Sequence, residues 1–150
     1  MTQATSRLET GIAGLDELLS GGLLPRRAYL LRGGPGSGKS TLGLHFLTTG
    51  AALGEKVLYI TLEEPEEHIR RNAELLKFDL SNVQFLDLSP TSAFFSEAQT
   101  YDIFSPAEVE REPITKQVVE QVEKLRPVRV LIDPMNQFRY LASDVFQYRR

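Results

Sequence analysis

The sequence contains no cysteine. That removes disulfides as a source of stability and thiolates as metal ligands. Long apolar runs are also missing. No stretch approaches about 18 consecutive apolar residues, and the opening MTQATSRLETG has no apolar h-region of the signal-peptide kind. Neither a membrane partner nor a leader is expected, and the chain reads as cytoplasmic. Positive charge is not in excess. Lys and Arg total 17 against 20 Asp and Glu, a net charge of −3, with no Lys/Arg-rich run. This argues against a surface built for the phosphate backbone of nucleic acid. No internal repeat or low-complexity tract is visible. What remains is ordinary for a globular protein: 150 residues, 41 % hydrophobic and 25 % charged, enough for one domain with one core.

Apolar segments alternate between two periods. AYLLR (Ala28 to Arg32) is a short apolar run followed by glycines and predicts a buried strand. From Ser40 to Leu53, Leu44, Leu47 and Ala51 recur at helical spacing, and Gly54 is a plausible stop. KVLYITL (Lys56 to Leu62) predicts a second strand. Pro65 suits the first turn of a helix, with Glu66 and Glu67 at its positive end and Arg70, Arg71 and Lys77 beyond. Ile69, Ala73 and Leu76 form that helix's apolar face. VQFLDL (Val83 to Leu88) predicts a third strand, followed by an irregular stretch from Ser89 to Glu112. Pro113 opens a helix carrying Ile114, Val118, Val122 and Leu125 on one face, and VRVLID (Val128 to Asp133) predicts a fourth strand. The alternation implies an α/β fold with a mainly parallel sheet and flanking helices.

Between the first strand and the first long helix lies RGGPGSGKST. Gly33, Gly34, Pro35, Gly36, Ser37, Gly38, Lys39 and Ser40 match G-x-x-x-x-G-K-[ST] at every fixed position, and Thr41 adds a second hydroxyl. The residue types follow from phosphate chemistry. Backbone N–H groups converge on phosphate oxygens only where side chains are absent and positive φ is allowed, which glycine provides. The next helix aims its unpaired N–H groups and positive dipole end at the same place. Lys39 supplies a point charge for the β- and γ-phosphates, and the Ser40 hydroxyl is a hard oxygen ligand for Mg²⁺. The competing reading is a glycine-rich turn with a chance lysine. The strand-loop-helix context favours phosphate binding.

Phosphoryl transfer also needs a carboxylate for the metal and a group that polarises the nucleophile. Asp133 ends the strand VRVLID, at the carboxyl edge where open α/β sheets bind ligands. Its alternative role is a helix cap or turn. Glu63 and Glu64 follow KVLYITL directly, on the same edge. One of them could orient or deprotonate a water, or both could charge the start of the next helix. Spacing leaves that choice open. His45, inside the helix after the loop, reads as structural, and His68, among charges, receives no role. AFFSEAQTYDIF (Ala93 to Phe104) could fold onto its own sheet edge or dock on a neighbour, because aromatics are enriched at interfaces.

Four blocks, RLETGIAGLDELLSGGL, GGPGSGKST, YITLEEPEEHIRRNAELL and VRVLID, occur in an order that resembles the KaiC-type ATPases of the RecA superfamily. The resemblance runs from about Arg7 to Gln147. It implies a P-loop NTPase of RecA/KaiC-like architecture that binds ATP and ADP with Mg²⁺ between the subunits of a homo-oligomeric ring, usually a hexamer. It also implies that the paired glutamates activate the nucleophile, with Glu63 as the base and Glu64 as its support. Two departures stand out. The family commonly has glycine where this chain has Arg26, and usually serine after the metal-binding aspartate, where this chain has Pro134.

The resemblance further implies a longer domain. In RecA-type cores the strand after the metal-binding strand inserts between it and the glycine-loop strand. That strand is expected beyond Arg150, so residues 1–150 are expected to be the nucleotide-binding part of a longer polypeptide, incomplete on its C-terminal side. Three functions are compatible with the sequence: a slow Mg²⁺-dependent ATPase, a non-hydrolysing ATP-binding module in signalling, and a DNA-recombination or repair ATPase. The acidic balance and the absence of cysteine weigh against the third.

Overall fold

The computed structural model describes residues 6–92 and 111–137. Its centre is a parallel three-stranded sheet in the order β2-β1-β3. The strands are β1 (Val57–Thr61), β2 (Gln84–Asp87) and β3 (Arg129–Asp133). The helices are α1 (Ala13–Leu18), α2 (Lys39–Ala52), α3 (Glu66–Leu75) and α4 (Arg111–Leu125), and a 3₁₀ turn follows at Met135–Gln137. Each strand lies within one residue of its predicted ends, and α2 is shifted by one residue. Gly54, just beyond α2, has φ +77°, the left-handed conformation that stops a helix.

β1 lies between its two neighbours, and all of its residues are buried. Alternation then divides the core in two. Val57 and Tyr59 face Leu44 and Leu47 of α2 and Ile69 and Ala73 of α3. Leu58 and Ile60 face the other way and pack with Leu62, Leu88 and Ile114. Val118, Val122 and Leu125 of α4 join this second cluster, as their helical spacing predicts. Burial of each such aliphatic side chain contributes roughly 1.5–3 kcal/mol. His45 meets Phe78 edge-on at 4.8 Å, a packing contact within the fold.

The approach of α2 to β3 depends on residues without side chains. A Cβ on Gly43 would lie 2.5 Å from Leu131 Cδ2, and one on Gly50 would lie 2.5 Å from Arg129 Nε. These glycines are seven positions apart and share one face of α2. The room at Gly50 is taken by Arg129, which is 2 % exposed. Its guanidinium pairs with Glu55 and donates to the carbonyls of Glu9 and Phe46. A buried cation is tolerated only when paired and hydrogen-bonded, and Arg129 meets both conditions while tying β3, α2 and the N-terminal segment together. That segment closes on itself through the antiparallel bridge Leu8↔Leu23. Its Asp16 carboxylate accepts hydrogen bonds from the Thr10 N–H and hydroxyl and from the Gly11 N–H.

Two expectations need correction. Residues 28–32 are not a strand among the described residues: they join no ladder, and Tyr29, Leu30 and Leu31 are exposed. The apolar run was legible, but a strand needs a hydrogen-bonded neighbour, and none of the described strands pairs with this run. Leu76 does not complete the apolar face of α3. It is the C-cap residue and is 56 % exposed, because the chain turns away at Lys77, φ +63°. The last helix is described from Arg111 to Leu125 and includes Pro113. The aromatic stretch 93–104 lies outside the described residues. Among the described residues, no helix is long and apolar enough to cross a membrane.

Candidate functional site

The loop from Gly33 to Gly38 leads directly into α2. Gly36 and Gly38 have φ +73° and +85°, a region that other residues enter at a cost. A Cβ on Gly33 would collide with Ser37 Oγ, so a side chain there would fill the cradle. The Ser37 N–H donates to Gly34 O at 3.3 Å, which closes the turn. Lys39 Nζ lies over the same loop, donating to Gly34 O at 2.7 Å and Ser37 Oγ at 3.4 Å. The first-turn N–H groups of α2 have no intrahelical acceptors and give this end of the helix its positive dipole. Geometry and donor set therefore fit a phosphate chain.

Two sequence-predicted cation ligands meet here. The Ser40 hydroxyl donates to Asp133 Oδ2 at 2.6 Å. Donating its proton to Asp133 leaves the Ser40 oxygen lone pairs available to a hard cation. Among the described residues, no three His, Cys, Asp or Glu side chains cluster to hold a metal. A hydroxyl beside one carboxylate suits Mg²⁺, which keeps several waters and takes its other ligands from substrate phosphates. The Asp133–Pro134 peptide bond is cis.

One contact at Asp133 was not read from the sequence. The Tyr59 hydroxyl donates to the same Oδ2 at 3.0 Å. Register accounts for its reach: Tyr59 pairs with Leu131, and Thr61 with Asp133, so Tyr59 lies two positions below the carboxylate on the adjacent strand. Burial pushes the Tyr59 phenol well above its usual pKa, and the Asp133 charge adds to the rise. The signal was the one aromatic side chain in the strand KVLYITL, whose buried hydroxyl needs a partner.

The glutamates lie on the same sheet edge. The Leu62 N–H donates to Asp133 O at 3.2 Å, which ties the exit of β1 to the end of β3 just before Glu63. Glu64 is held twice: its carbonyl accepts from the Thr61 hydroxyl at 2.5 Å, and its Oε1 accepts from Asn72 at 3.0 Å. Glu63 is exposed. Neither glutamate lies within α3, which begins at Glu66. The Glu66 N–H is capped by Asp87 Oδ2 at 2.9 Å, so helix capping is performed by another residue. Thr41 lies in the first turn of α2 beside Ser40.

Comparison with known proteins bears on the same features. A UPF0273 protein of Saccharolobus solfataricus is 33 % identical over 140 residues, covering 93 % of this chain and 48 % of its own length. One from Aeropyrum pernix is 30 % identical over 150 residues, covering 95 % of this chain and 59 % of its own length. A protein of Treponema pallidum named DNA repair protein RadA is 40 % identical over 84 residues, covering 56 % of this chain and 18 % of its own length. The chain thus spans about half the length of the UPF0273 relatives that match it almost throughout. The family model described as "ATPase: KaiC" matches residues 8–149, across the glycine loop, the glutamate pair and the strand that ends at Asp133, and the chain belongs to the KaiC-type ATPase family.

Proposed function

We propose that this protein binds ATP with Mg²⁺ and hydrolyses it slowly as part of a cytoplasmic homo-oligomer, a hexameric ring in the family's manner. The observation that carries the reading is the Ser40–Asp133 contact, which places the glycine loop and the carboxylate at one sheet edge. Mg²⁺, when bound, neutralises charge on the phosphate oxygens. The chain's own residues do the rest. The loop N–H groups and Lys39 cradle the β- and γ-phosphates and stabilise the charge that shifts toward ADP. Glu63 takes a proton from the attacking water as the new P–O bond forms and the bond to the β-phosphate oxygen breaks, releasing ADP and inorganic phosphate. Glu64, pinned by Thr61 and Asn72, supports the orientation of Glu63.

The test is phosphate release under saturating ATP, with and without Mg²⁺, alongside equilibrium ATP binding and light scattering. Mg²⁺-dependent turnover with a shift to a larger species is expected. ATP binding without phosphate release would establish the non-hydrolysing module instead. The RadA relative keeps a DNA-repair reading in view, against which the net charge of −3 weighs. Binding to DNA that weakens steeply with salt would reverse that order.

A further inference from the structure

Tyr59 is a core residue by burial, at 2 % exposure, yet its hydroxyl ends at the site. Phenylalanine would fill the same space without a polar atom to satisfy. The ring is held from the side away from Asp133 as well. It stacks on Phe85 with centroids 5.0 Å apart and planes inclined by 11°. The guanidinium of Arg70 lies 4.5 Å from the Phe85 centroid. Arg70 is in turn fixed by Glu66 Oε1 at 2.7 Å and by Leu80 O at 2.8 Å. The phenol is therefore immobilised before it reaches the carboxylate.

We propose that Tyr59 is a positioning residue for the divalent cation, acting through Asp133. The inference rests on the nucleotide-and-Mg²⁺ reading given above. Asp133 Oδ2 accepts from two hydroxyls that come from different elements, Ser40 on α2 and Tyr59 on β1. Ser40 is the one that also has to serve the cation. Tyr59 has no such second duty, and its bond holds Asp133 Oδ2 from a buried ring that is itself stacked in place. A carboxylate held in one orientation loses little freedom when the cation arrives. Groups that orient a metal's ligands typically affect metal affinity by about 10–100-fold.

The test is Tyr59→Phe, which keeps the ring and its stack on Phe85 and removes only the hydroxyl. ADP affinity is measured in EDTA, and Mn²⁺ affinity for the protein–ADP complex is then measured by electron paramagnetic resonance. ADP affinity in EDTA is expected to stay within about twofold, while Mn²⁺ affinity falls by about tenfold. In an Asp133→Ala background, which removes the acceptor, the same substitution is expected to produce no further loss, because its effect passes through that carboxylate. A folded Tyr59→Phe protein that binds Mn²⁺ as tightly as the parent overturns the proposal, as does an equal loss in the Asp133→Ala background. A parent that binds no ADP in EDTA and none with Mn²⁺ rejects the nucleotide reading itself, and the positioning role with it.

Discussion

Ser40 and Asp133 are 93 positions apart in the chain, and their side chains meet at 2.6 Å. Neither residue reaches the other through local structure. Ser40 is carried by the start of α2, and Asp133 by the end of β3. What brings them together is the close packing of α2 on β3 at Gly43 and Gly50. The site's geometry is thus a consequence of helix-sheet distance, and its parts fail in separable ways.

Lys39 is the test of phosphate binding. Lys39→Ala removes the charge over the loop and leaves the glycine backbone unchanged. ATP affinity is expected to fall by at least about tenfold, or roughly 1.4 kcal/mol, in an equilibrium titration. Unchanged affinity in a folded variant would falsify the assignment.

The two glutamates are distinguished by rate rather than affinity. Glu63→Gln is expected to bind ATP nearly as the parent does and to lose turnover by about 10² or more. Glu64→Gln is expected to lose less, because it removes a support and not the base. Single-turnover phosphate release measures both. Parental rates in both variants would return the pair to a purely electrostatic role.

At Gly50, helix propensity and packing oppose each other. Replacing an interior helical glycine with alanine ordinarily gains about 1 kcal/mol. Here the new methyl would lie 2.5 Å from Arg129 Nε and 2.6 Å from Glu55 Oε2, inside a buried ion pair. Displacing such a pair or overfilling its space costs about 1–3 kcal/mol or more, so packing wins. Gly50→Ala is expected to be less stable than the parent by about 1–2 kcal/mol in denaturant melts. A rise in stability would mean that Arg129 can retreat freely.

Asp16 sets part of the acid limb of stability. Burial acts to raise its pKa, but hydrogen bonds from Thr10 and Gly11 outweigh burial and hold it below the usual 3.8. A carboxylate depressed in the folded state stabilises the fold above its unfolded pKa, about 3.9. That contribution is lost as pH falls through the lower folded value. Asp16→Asn is expected to melt lower than the parent at neutral pH and to lose less on acidification below about pH 4. Parallel pH profiles for the two proteins would exclude Asp16 as a source of that slope.

Arg26 occupies left-handed backbone at φ +57°, at the position where the family resemblance implies glycine. The conformation costs a side-chain-bearing residue about 1–2 kcal/mol, and the greater freedom of glycine in the unfolded chain takes back part of the gain. Arg26→Gly is expected to raise stability by about 0.5–1 kcal/mol. A decrease would show that the Arg26 side chain makes contacts that outweigh the strain.

Local chemistry was legible in the sequence wherever the residue type is dictated by a neighbour in the chain. The glycines of the loop, Gly54 beyond α2 and the apolar faces of α2 and α4 are of this kind, because steric freedom and a helical repeat act over a few residues. The sequence also indicated which sheet edge carries Asp133, Glu63 and Glu64, because parallel strands joined by helices all point the same way. Tertiary structure decided the rest. Whether AYLLR is a strand depends on a hydrogen-bonded neighbour, which its own residues cannot encode. Register set Tyr59 of KVLYITL beside Asp133, and a glycine face on α2 made room to bury Arg129 of VRVLID. Pairing, register and close approach are relations between distant segments, so they are settled only when those segments pack against one another.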